Sequence, residues 1–177
     1  MSILINILIG IAGLVVLLLL VAAFLKKDYM VSQSAIINQP KQVVYNYVKL
    51  IKNQQNYNKW VMADPNARIA ERGVDGSPGF VYAWDSDNKQ VGKGEQEILK
   101  LADGERIDSE VRFEKPFKNV AQIYMTTEVI NEGQTRITWA MYGKNPYPMN
   151  LMNLFIPGML ARDMNESLNN LKRMLER

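Results

Sequence analysis

The chain has 177 residues, 47% hydrophobic and 22% charged, with a net charge of +3 and neither His nor Cys. Without His and Cys there are no thiol nucleophiles, disulfides, Ser-His or Cys-His pairs, imidazole acid–base groups, His-ligated haem or zinc sites built on either residue. Lys26 and Lys27 supply two of the three excess charges, and no run of Lys or Arg exceeds two residues, so the electrostatic footprint of nucleic-acid binding is missing.

Every Asp, Glu, Lys and Arg falls after residue 25, which divides the chain into an apolar segment with a basic flank (1–27) and one domain (28–177) large enough for a single core. From Ile7 to Leu25 no side chain is polar. At 1.5 Å per residue this run is roughly 28 Å long, close to the ~30 Å hydrocarbon core, and it predicts a single membrane span over Ile3 to Leu25. A cleaved signal peptide fits less well, because the basic n-region is missing and the apolar run is too long. Gly10 and Gly13 are three apart rather than four, so they predict no helix pairing. Lys26 and Lys27 place the domain on the cytoplasmic side of the cell membrane by the positive-inside rule.

Tyr29 to Asn38 reads as a strand, and the Asn38-Gln39-Pro40 turn opens a helix carrying Val43, Val44, Tyr47 and Val48. A second short helix is expected over Lys52 to Trp60. Between Ala67 and Gly143 the period falls to two: Phe80, Tyr82 and Trp84 share one face, Ile107, Val111 and Phe113 another, Ala121, Ile123, Met125 and Val129 a third, and Ile137, Trp139 and Met141 a fourth. Asp75-Gly76, Asp87-Asn88, Asp103-Gly104, Pro116 and Glu132-Gly133 mark the turns. The pattern is an antiparallel meander with one buried face. Met164, Leu168, Leu171 and Leu175 then return to helical spacing, and their stripe needs the concave face of that sheet to lie on. The fold class is α+β.

The inward aromatics Tyr82, Trp84, Phe113, Tyr124 and Trp139, with Trp60 from the helical side, either fill a core or line a cavity. Alternation sets Tyr124 apart, since it lies opposite Ile123 and Met125. The apolar stretch from Met149 to Leu160, broken by Pro157-Gly158, suits core packing, a gate over a cavity mouth, or contact with a bilayer. Gly92-Lys93-Gly94 lacks the third glycine and the following helix of a phosphate loop, and reads as a bulge or close backbone approach. Asp108, Glu110, Arg112 and Glu114, spaced by two, read as a solvated strand face. Asn165-Glu166-Ser167 lies inside the final helix and carries no weight as a glycosylation site.

An ordered set of segments resembles the SRPBCC superfamily, the START-like and polyketide-cyclase-like helix-grip group. These are Ile36-Ile37-Asn38-Gln39-Pro40, Val43-Val44-Tyr45, Trp60, Tyr82-Ala83-Trp84-Asp85 and Val91-Gly92-Lys93-Gly94. They continue through Arg112-Phe113-Glu114-Lys115-Pro116-Phe117, Thr135-Arg136-Ile137-Thr138-Trp139 and Leu171-Lys172. The resemblance spans Tyr29 to Arg177 and implies a curved antiparallel sheet gripping a long C-terminal helix, with a hydrophobic cavity between them for lipids, sterols or polyketides. It brings no family-wide catalytic motif, metal or cofactor.

On that basis Trp60, Tyr82, Trp84, Phe113, Trp139 and Met141, with Met152, Phe155, Met159 and Met164 from the final segment, are expected to border one ligand pocket of several hundred Å³. The expected function is membrane-tethered binding, transport or sequestration of a hydrophobic small molecule or lipid. The alternatives are a cyclase- or dehydratase-like enzyme and a protein-interaction module on the same fold. An enzyme would need Tyr, Lys, Arg, Asp or Glu in the cavity, tuned by burial.

Overall fold

A computed structural model describes residues 2–177. The apolar N-terminal run forms helix α1 (Ser2–Phe24), long and apolar enough to cross a membrane. Nearly all its described side chains stand clear of the rest of the protein, and among them only Ala22, in the last turn, is buried.

Strand β1 (Asp28–Ile37) follows, then helix α2 (Lys41–Val48), a 3₁₀ turn over Ile51–Asn56 and the one-turn helix α3 (Lys59–Met62). Pro40 precedes α2, where its missing N–H costs nothing. The buried face of α2 is Val44, Tyr45 and Val48, and Val43 points outward. The continuous helix expected over Lys52 to Trp60 is broken instead. Tyr57 turns fully into the core, and the Asn58 side chain accepts from the Trp60 backbone N–H at 3.0 Å, capping a new helix start.

Six further strands are β2 (Arg68–Arg72), β3 (Val81–Asp85), β4 (Lys93–Ala102), β5 (Arg106–Lys115), β6 (Asn119–Asn131) and β7 (Gln134–Lys144). All seven form one antiparallel sheet in the order β1-β7-β6-β5-β4-β3-β2. A second 3₁₀ turn over Met149–Leu154 leads into the long helix α4 (Ile156–Leu175), which lies across β1 and the concave face. Met164, Leu168 and Leu171 of α4 share one core with Ile37, Val44, Ile137 and Trp139. This is the helix-grip arrangement, a curved antiparallel sheet around a C-terminal helix.

Strand direction fixes what lies at each end of the sheet. The pairs Asp28↔Lys144, Asp85↔Lys93 and Phe113↔Asn119 put the start of β1, the end of β3, the β5–β6 turn and the end of β7 together, at the end that α1 joins.

The last carbonyls of a helix have no partner within it. Here the second 3₁₀ turn supplies them. The Asn150 side-chain amide, fully buried, donates to the carbonyls of Ala22 at 2.6 Å and Leu25 at 3.0 Å. Asn153 donates to the carbonyls of Lys26 and Lys27, and Asn145 donates its backbone N–H to Lys27 and its side-chain amide to Asn153. Three asparagines thus clasp α1 to the domain.

Candidate functional site: a cleft between the sheet and the last helix

The inward side chains of β3 to β7 do not fill the space beneath α3 and the first turn of α4, and a cleft of about 620 Å³ remains. Of the residues singled out from sequence, Trp60, Tyr82, Trp84, Phe113, Trp139, Met141 and Met159 border it. Two edge-to-face aromatic pairs build its walls. Trp60 meets Trp139 with ring centroids 5.7 Å apart, and Trp84 meets Phe113 at 6.2 Å.

Met152, Phe155 and Met164 do not border the cleft. Met164 lies farther along α4 than Met159 and Leu160, where the helix closes onto the sheet, and it is sealed into the core at 0% exposure. Met152 and Phe155 are turned outward, because the 3₁₀ turn that carries Met152 spends its one buried residue, Asn150, on α1. Phe155 is 76% exposed.

A polar strip with no counterpart among the residues singled out from sequence runs along the wall. The Asn58 amide donates to the Gln54 carbonyl oxygen at 2.9 Å, Gln54 donates to Gln96 at 3.2 Å, and Gln96 donates to the Ser109 hydroxyl at 3.1 Å. All four side chains are buried, and Gln54, Asn58 and Gln96 border the cleft. One signal was present: Gln96 keeps phase with Gly94 and Ile98 on β4, between the outward Glu95 and Glu97. The buried indole N–H of Trp139 has no partner among the described residues.

Asp64 is the one charged side chain on the wall among the described residues, held by the Ser86 hydroxyl and the Asn66 backbone N–H. Burial raises the phenols of Tyr29 and Tyr82 above their ordinary range, and Glu71 and Asp75 add to the effect at Tyr82. Among the described residues, no group of three or more His, Cys, Asp or Glu is placed to hold a metal.

A cluster of strand charges lies on the opposite face of the sheet. Arg112 donates to Glu95 at 2.8 Å, Glu97 at 2.6 Å and Glu110 at 2.7 Å, and this pairing lowers the Glu110 carboxyl while raising Arg112. Tyr124 belongs to this face too, beneath the Arg106 guanidinium at 4.0 Å.

Gly92 and Gly94 serve close backbone approach. Gly92 has φ +67°, and the β4–β5 register shifts between Lys93 and Gly94. A Cβ on Gly94 would lie 2.6 Å from the Arg112 carbonyl and 2.7 Å from the Trp84 ring. Trp84 is therefore seated on bare backbone at the edge of the cleft.

Residues 30–176 match the family model described as polyketide cyclase / dehydrase and lipid transport. No curated protein sequence matches the chain. Among solved structures, a hypothetical protein of Helicobacter pylori is similar with 14% identity and TM-score 0.63, over 85% of this chain and 89% of that one. Truncated norcoclaurine synthase of Thalictrum flavum follows with 6% identity and TM-score 0.64, over 84% and 93%. The Aha1 dimer of Colwellia psychrerythraea gives 14% identity and TM-score 0.56, over 84% and 96%. At these identities the likeness is one of fold.

Proposed function

The chain belongs to the polyketide cyclase / dehydrase and lipid transport family, and from that membership we propose that it binds a hydrophobic small molecule or lipid in the cleft while α1 tethers it to a membrane. The observation that carries this reading is the cleft itself, about 620 Å³ with mostly aromatic and aliphatic walls. That volume suits one small ligand. The Asn58–Gln54–Gln96 strip offers amide donors and acceptors along one side, enough to orient a hydroxyl or carbonyl on an otherwise apolar body. Tethering raises the local concentration of any ligand dissolved in the bilayer and removes a diffusional search. Lys26 and Lys27 favour a cytoplasmic domain.

Mass spectrometry of apolar molecules co-purifying with the detergent-extracted full chain tests the proposal. Val111 and Ile123 border the cleft, so Val111→Trp and Ile123→Trp are two independent ways to fill it. One apolar species should travel with the parent and be lost from both filled variants while they remain folded. A parent preparation with no species above the membrane-extract background overturns ligand binding.

A further inference from the structure

We infer that the α1 end of the domain is a docking face for an anionic bilayer, and that the cleft exchanges its ligand directly with that bilayer. The inference rests on the membrane tether proposed above. Its first support is depth. Asn150 reaches the carbonyls of both Ala22 and Leu25, so the second 3₁₀ turn lies level with the last turn of α1. If Ile3–Phe24 occupies the hydrocarbon, residues 149–155 are held at the headgroups.

The second support is what that level presents to solvent. Phe155, Phe117 and Leu154 are 76%, 65% and 56% exposed, and Met149 and Met152 are exposed beside them. These large apolar side chains project from one end of a domain whose core is already closed, and an interfacial membrane layer accepts such a surface.

Charge points the same way. The nearby acids are engaged, Asp85 and Asp87 by Arg68, Glu114 by Lys93, and Asp28 by Lys144. Lys26, Lys27, Lys115 and Lys118 form no ion pair among the described residues and remain for lipid phosphates. Each Lys held near an anionic surface adds to the attraction.

The mouth of the cleft adjoins this face. Met159 borders the cleft yet is 49% exposed, and its backbone N–H donates to the Phe155 carbonyl at 3.2 Å. One helical turn, about 5.4 Å, separates the lip from the docking residue. An apolar ligand leaving the acyl region thus meets Phe155 and then Met159.

The chain has no Cys, so a single introduced thiol carries an environment-sensitive fluorophore at one known place. Val15→Cys, Phe155→Cys and Glu132→Cys report on the middle of α1, the docking face and the far β6–β7 turn. Each labelled full chain is reconstituted into phosphatidylcholine vesicles with and without phosphatidylglycerol, containing spin-labelled lipids. The Val15 probe should be quenched by deep spin labels, the Phe155 probe by shallow ones, and the Glu132 probe by neither. Combining Lys115→Glu and Lys118→Glu should cut Phe155 quenching at least threefold in the anionic vesicles. A Phe155 probe as wet as the Glu132 probe, with Val15 quenched, overturns docking and leaves the tether standing, whereas an unquenched Val15 overturns both. A Phe155 probe that is dry but unquenched means that protein covers the face, which also overturns docking. For exchange, an apolar fluorophore should pass to the chain at least tenfold faster from the same vesicle than from a separate one. Equal rates overturn direct exchange.

Discussion

Trp60 and Trp139 meet edge to face at an interplanar angle of 76°, joining the short helix α3 to strand β7, next to the β1 edge of the sheet. Trp139 is 2% exposed, yet one side of its ring borders the cleft rather than other side chains.

Truncation should show this difference. A Trp packed on all sides costs about 3 to 5 kcal/mol when cut to Ala. Trp139→Ala is expected to cost about 2 to 3 kcal/mol by denaturant titration, because part of the ring has no packing to lose. The same change should shift affinity for an apolar fluorescent probe at least threefold. The full loss with unchanged probe binding would mean that the ring belongs to a closed core.

Gly94→Ala pushes a methyl group into the Arg112 carbonyl and the Trp84 ring. The expected cost is about 1 to 3 kcal/mol, as for other overpacked sites. Trp84 must move, so the near-ultraviolet dichroism should change too. A stable variant with an unaltered Trp84 signal would show that the strands can separate freely there.

Outer-face electrostatics predict a pH dependence with a definite sign. Arg112 holds the Glu110 carboxyl below its ordinary value, so the stabilisation is present above the unfolded value and lost as pH falls through the lower folded one. Arg112→Met leaves Glu95, Glu97 and Glu110 facing one another. At neutral pH the variant should lose about 1 to 2 kcal/mol, a figure kept low because the cluster is partly solvated. Thermal melts at decreasing pH should show that deficit narrowing as the carboxylates take up protons. A deficit that does not change with pH rules out carboxylate repulsion as its cause.

Much of this architecture was legible because apolar periodicity records burial directly. Ile107 and Val111, or Ile137 and Trp139, face the core wherever the chain alternates, and the charge-free run before Lys26 can only be an apolar helix. The polar strip was only half legible: Gln96 keeps the phase of the buried face of β4, but its partner Gln54 lies 42 positions away and nothing local distinguishes it from a surface amide. Phe155 and Met152 misled for the converse reason. Hydrophobicity signals transfer out of water without saying into what, and these two side chains point away from the core. Strand β2 escaped notice because, as an edge strand with all five residues exposed, it has no buried face to impose a period.

Asn150 is expected to govern how firmly α1 is held. Asn150→Ala removes both amide donors to Ala22 and Leu25 and should cost about 1 to 3 kcal/mol. Asn150→Asp should be worse, since it turns a carboxylate oxygen toward those carbonyls. Distances between spin labels on α1 and on the domain should broaden in both variants. Narrow distributions in both would assign the hold to Asn153 and Asn145 instead.

Protease added to intact cells should leave the domain uncut, and cell lysis should expose it. The expectation rests on Lys26 and Lys27 alone. Digestion from outside would reverse the orientation and leave the span in place.

Strand β1 emerges from the ribosome first among the strands and pairs only with β7, the last. Every other ladder joins strands adjacent in sequence, whereas the nearest β1–β7 partners are Ile37 and Thr135. Closing a loop of that size costs about 4 kcal/mol of chain entropy. At roughly 5 to 20 residues per second of synthesis, β1 waits about 5 to 20 seconds for its neighbour. The local hairpins of β2 to β6 can assemble in that interval. Ser32, Gln33 and Ser34 keep the centre of the waiting strand polar, which discourages it from pairing with another chain. Zipping β1 onto β7 is then the step that draws the assembled meander down against the end of α1.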